Sequence, residues 1–114
     1  MNKKTLPPVK FVNLTPHTVT VFHNSGEKLG EFLPSGQVAR VSVTKELVGE
    51  INGIPIYNAV KGEVIGFPEE EENTVYIVSA MVREAIYGKP HVVSPGDLVR
   101  NKEGQPIGCL GFYQ

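Results

Sequence analysis

Three side chains gathered around one proline are the first place where this chain could do chemistry. Asn13, Thr15 and His17 lie in the run Asn13-Leu14-Thr15-Pro16-His17. An amide, a hydroxyl and an imidazole offered from one bend could hydrogen-bond a ligand. The imidazole could also carry a proton near neutral pH. The same residues have a structural use. Pro16 cannot donate to a strand ladder, so Thr15 and His17 could tie up backbone groups it leaves unpaired.

Other chemistry is thinly represented. Cys109 could be a nucleophile with His17 or His91 as its base. A lone cysteine in an apolar strand is ordinarily a small buried hydrophobe. It also excludes an intramolecular disulfide and any multi-cysteine zinc site. His17, His23 and His91 show no i, i+4 pair and no His-Glu-x-x-His, so a metal site would need distant ligands to converge. Glu69 to Glu72 reads as a solvated loop, without the alternating ligands and turn glycine of a calcium loop. Gly108-Cys109-Leu110-Gly111 has the wrong spacing for a phosphate-binding loop. No cofactor is called for.

Cationic and aromatic groups remain. Arg40, Arg83 and Arg100 are the only arginines, and a planar guanidinium suits bidentate phosphate recognition. Arg83 sits off the apolar face of a helix, and Arg100 at the mouth of the last hairpin. Phe67 and Tyr76 are among the rings that could stack on a base, although most rings will be core.

The elements that must position these residues are mostly strands. The chain has 114 residues, which sets one domain. Its 12 glycines and 9 prolines, spread along the chain, are the punctuation of a β-rich protein. Thr74 to Val78 is β-branched or aromatic throughout and predicts a well-buried strand. Ser79 then reads as an N-cap, and a helix follows over residues 80–87, closed by Gly88 and Pro90. In Thr18 to Phe22, Val19 and Val21 point one way. Asn52-Gly53 is a strong hairpin signal, with Ile54 to Tyr57 as an edge strand after it. Thr44 to Gly49 predicts a single helical turn, and Gly62 to Pro68 a further short strand. A second hairpin closes at Gly104, and the glycines of the last strand mark close approach of a backbone or ligand.

The fold expectation is α+β, mostly β. Residues 1–8 form a flexible arm. Residues 9–114 form one compact domain of short antiparallel strands and hairpins, with one main helix. Short, proline-interrupted edges must be covered, which predicts a homo-oligomer. A net charge of −1 argues against bulk nucleic-acid binding. No apolar run approaches the roughly 20 residues that span a bilayer, and none forms a secretory h-region. A cytoplasmic location in a bacterial cell is expected.

Asn13-Leu14-Thr15-Pro16-His17 with Val19-Thr20-Val21 resembles the opening of a set of short phage, prophage and bacterial proteins. Thr74 to Ser79, Ser94 to Arg100 and Gly104 to Cys109 resemble the same set in the same order. The resemblance implies a phage or prophage context and brings no assigned catalytic mechanism. Small phage proteins of this kind include sponges that sequester nucleotide-derived immune signals.

The leading expectation is therefore a non-enzymatic binder of a small anionic or nucleotide-type ligand. Asn13, Thr15 and His17 would hydrogen-bond it. Arg83 and Arg100 would take its phosphates, and Phe67 or Tyr76 would stack. One alternative is a protein-interaction module acting through an exposed edge strand. Another is a small hydrolase or lyase using His17.

Overall fold

The computed structural model describes residues 9–114, so the expected arm over residues 1–8 lies outside the described residues. The strands are β1 (Lys10–Asn13), β2 (Val19–Phe22), β3 (Lys28–Phe32), β4 (Arg40–Ile51), β5 (Ile54–Ile65), β6 (Thr74–Ile77), β7 (Val92–Arg100) and β8 (Pro106–Tyr113). The one helix described, α1, spans Ala80–Ala85. No described helix is long and apolar enough to cross a membrane.

β6 is buried on both faces, as its unbroken β-branched and aromatic composition predicts. It runs parallel to β1 on one side and to β7 on the other. A parallel neighbour requires a crossover, and α1 supplies it between β6 and β7. Ser79 starts the helix by accepting the Val82 N–H at 3.3 Å. The helix is two residues shorter than expected, because Ile86 to Gly88 already turn and Gly88 takes a positive φ.

The sheet order is β1-β6-β7-β8-β2-β3. It mixes antiparallel hairpins with parallel pairs, including β2 beside β8. Its two edges meet. Asn13 bridges to Pro34, and Ser35 N–H donates to the Asn13 carbonyl at 3.0 Å. The result is a nearly closed barrel.

Alternation then sorts the apolar residues into two cores. Val19, Val21, Ile77 and Cys109 pack together with Phe32, Val93 and Phe112. Phe11 joins them, its ring 4.8 Å from Phe32 and 5.9 Å from Phe112, so β1, β3 and β8 are linked through aromatic contacts. Leu14, Tyr76, Val78 and Val92 face the other way, toward Val82 of α1 and Val41 of β4. Gly108 lets β8 approach β2: a Cβ there would sit 2.6 Å from the Thr20 carbonyl.

Two expectations are corrected. Residues 44–49 do not form a helical turn, and residues 62–65 do not form a separate strand. Both belong to a single hairpin of two 12-residue strands. Asn52 and Gly53, at φ 53° and 80°, make its tight turn. Pairing runs from Arg40↔Ile65 out to Ile51↔Ile54, and slips between Val41 and Val43 and between Leu47 and Gly49. Those bulges absorb glycines and charges that locally read as breaks. At about 3.3 Å per residue the hairpin is ~40 Å long.

Among the described residues only its base is covered, where Val41 and Val64 join the α1 side of the core. The rest projects as an arm. The radius of gyration is 17.3 Å, against about 13–14 Å for a compact domain of this size.

If the outer arm buries nothing of its own chain, it is dispensable for folding. Replacing residues 46–58 by Asn-Gly, between the paired Lys45 and Ala59, should change unfolding free energy in urea by less than about 1 kcal/mol. A loss above ~3 kcal/mol would show that the arm is part of the cooperative fold.

Candidate functional site

Asn13 ends β1 and is 2 % exposed. Its Nδ2 donates to the His17 carbonyl at 2.8 Å and the Phe32 carbonyl at 2.9 Å. Its Oδ1 accepts from Thr15 N–H at 2.9 Å and Thr15 Oγ1 at 2.7 Å. Both amide protons and both acceptor sites are thus taken up inside the protein. Thr15 Oγ1 also lies 3.0 Å from the His17 carbonyl. The amide and hydroxyl of the motif stitch the bend together, and the His17 side chain is left on the surface.

That bend forms one wall of a cavity of about 550 Å³. Ser79, Leu98, Ile107 and Cys109 line it together with Thr15 and His17. The sequence offers His17 as a base for Cys109, and the two border this one cavity. No hydrogen bond joins the two among the described residues. Cys109 is 2 % exposed, and burial pushes its thiol above its ordinary pKa, opposed by a backbone hydrogen bond with Gly96. Its Sγ contacts the Gly111 carbonyl at 3.5 Å. A protonated, buried thiol is a poor nucleophile. Among the described residues no arginine or lysine lines this cavity.

The cationic residues lie elsewhere. Arg83 borders a second cavity, of about 330 Å³, with Tyr87, Lys89, Val92 and Gln114. Its Nε donates to the buried Ser94 Oγ at 2.7 Å, which fixes the guanidinium. Lys89 reaches Glu70 at 3.2 Å. Arg100 is not in that lining; its Nη1 donates to the Gly104 carbonyl at 2.7 Å and closes the β7–β8 turn. Phe67 and Tyr76 pack on each other, centroids 5.1 Å apart. The Tyr76 hydroxyl accepts from Glu71 N–H at 2.8 Å and donates to the Glu69 carbonyl, pinning the acidic loop. The seven residues singled out from sequence are therefore spread over several places. Among the described residues, no three His, Cys, Asp or Glu side chains converge as metal ligands.

The largest feature that sequence reading missed is the arm. Leu47, Ile51 and Ile54 are 62 %, 63 % and 63 % exposed, and Tyr57 is 48 % exposed. Cross-strand register sorts them. Val43, Lys45, Leu47 and Glu50 share a face with Tyr57, Ala59 and Lys61. Ile51, Ile54 and Ile56 share the other. The first face continues the core-facing side of Val41. Lys45 Nζ lies 4.9 Å from the Tyr57 ring centroid, a cation–π contact. The available signal was Asn52-Gly53 flanked by isoleucines on both sides.

Two predictions follow from the bend and the thiol. Asn13→Ala strands two carbonyls and an N–H, and should cost ~2–4 kcal/mol in urea unfolding. Asn13→Asp should fall at least as far, since a carboxylate oxygen then faces two carbonyls. A loss under about 1 kcal/mol for either would contradict the pinning role. Cys109 should alkylate at least ~10-fold slower at pH 8 in the folded protein than in urea. Its raised folded pKa stabilises fully below the unfolded value, about 8.5, and that contribution is lost as pH rises through the folded value. Equal alkylation rates would contradict the burial.

Models of known protein families, curated proteins and solved structures were all compared with this chain, and none matches.

Proposed function

We propose that the protein is a non-enzymatic protein-interaction module that presents the β4–β5 arm to a partner. The observation that carries this reading is an apolar hairpin whose outer part has no covering layer among the described residues. A two-stranded ribbon is marginal in water by itself. Eight large apolar side chains of the arm, including Val43, Val48, Ile56 and Val60, are exposed by over a third to nearly two thirds. Fully burying such a side chain is worth about 1.5–3 kcal/mol. Covering the exposed halves of all eight offers roughly 6–12 kcal/mol. That is comparable with the ~4–15 kcal/mol that association costs. Exposed apolar surface on this scale marks an interaction site.

A second reading keeps the expected ligand but moves it. The Arg83 cavity brings together two cations, the Gln114 amide and the exposed Tyr87 ring. Those groups suit a small anion with an aromatic part, such as a nucleotide-derived signal. Native mass spectrometry with a pool of cyclic and ADP-ribose-type nucleotides tests it. A stoichiometric shift with intact released nucleotide supports sequestration at this cavity. An unshifted spectrum removes it.

The arm reading is tested by placing a photo-crosslinker, p-benzoylphenylalanine, at Tyr57 in bacterial cells expressing the protein. Discrete protein adducts are expected from position 57 and not from Tyr87, which is more exposed still. No adduct at position 57, or the same adducts from both positions, would overturn it.

A further inference from the structure

We infer that the partner of the arm's core-continuous face is the same face of a second copy of this chain. The two arms pack antiparallel about a two-fold axis through Leu47 and Tyr57. This rests on the arm being a protein-docking element, and it names the occupant.

The argument is the order of charges along that face. Leu47 and Tyr57 are directly paired and form its apolar centre. Toward the base come Lys45 beside Ala59, then Lys61 beside Val43. Toward the tip comes Glu50 beside Pro55. The bulge between Leu47 and Gly49 takes up one residue, so Glu50 and Lys45 both stand two pleat positions from the centre. Each is about 7 Å away, on opposite sides. A face with cations on one side of its centre and an anion at equal spacing on the other is complementary to itself turned through 180°. Such self-complementarity is what an isologous two-fold contact requires. In that arrangement Glu50 of each copy meets Lys45 of the other, with Lys61 next in line.

Arms laid parallel would instead bring Glu50 level with Glu50 and Lys45 level with Lys45 along the ribbon, with no opposite charge near either. The arm as a whole is also electrically balanced. Arg40, Lys45 and Lys61 offset Glu46, Glu50 and Glu63, so two arms approach without net repulsion. The contact strip is narrow: about 30 Å of a two-stranded ribbon is small beside a standard interface, which sets the expected dimer in the micromolar range.

Sedimentation equilibrium from about 1 to 200 µM tests this with three chains. Wild type should dimerise. Glu50→Lys makes the face all cationic, and the Lys45→Glu, Lys61→Glu double variant makes it all anionic. Each should self-associate at least tenfold more weakly than wild type. Mixed in equal amounts, they should form a heterodimer at least as tight as the wild-type pair. Recovery on mixing excludes misfolding as the cause of the loss, because misfolded chains would not recover. Wild type that stays monomeric at ~200 µM, charge variants that dimerise as wild type does, or a mixture that fails to associate would each overturn the pairing. If wild type is monomeric while position 57 crosslinks a different protein, self-pairing falls and the docking arm stands. If position 57 crosslinks nothing, both fall.

Discussion

The side-chain amide of Asn13 is the interaction on which the barrel depends. A six-stranded sheet of this order has two edges, β1 and β3, and an open edge invites pairing with another chain. Asn13 holds the two together. Its amide reaches the last carbonyl of β3, the far side of the Pro16 bend and the start of that bend at once. The reverse amide orientation would set an NH2 against the Thr15 N–H, so the network selects one conformation. Leu14, the next residue, donates its N–H to the Ile77 carbonyl and accepts from Ala39 N–H. The end of β1 is therefore tied to β3, to β6 and to the entry of the arm within two residues.

Once the barrel edges are joined there, the β4–β5 segment has no place in the sheet. It leaves between β3 and β6 and, among the described strands, pairs only with itself. Its base helps cover the α1 side of the core, and its outer part stays apolar without a neighbour among the described residues. A chain that merely needed a connection between β3 and β6 would have a short polar loop. The cost of exposing leucine and tyrosine on the Leu47 face of a projecting ribbon is offset only when something covers them. Assembly is the reading we propose for that imbalance, and the charge order along the Leu47 face supplies its symmetry.

What was legible in the sequence was local. The β-branched run of β6, the Ser79 cap, the Val19 and Val21 alternation and the Asn52-Gly53 turn each carry their signal within a few residues. The chemistry of the bend was legible as residue types. Its direction was not, because whether Asn13 points at a ligand or at Phe32 depends on a strand much later in the chain. The arm was misread for a related reason. Thr44-Lys45-Glu46 looks like a helix start and Gly49 and Gly62 look like stops, whereas long cross-strand pairing overrides both through bulges. Arg83 and Arg100 are of one type but sit in different surroundings, and Phe67 and Tyr76 were needed by the core. Parallel pairings such as β1 with β6 bring distant segments together and leave no local mark.

The most direct measurement of the account is amide hydrogen exchange, read by mass spectrometry at several protein concentrations. Amides of β4 and β5 between Val43 and Lys61 should gain protection as concentration rises, while the barrel strands stay constant. Exchange in the arm that is the same at every concentration would contradict assembly through it.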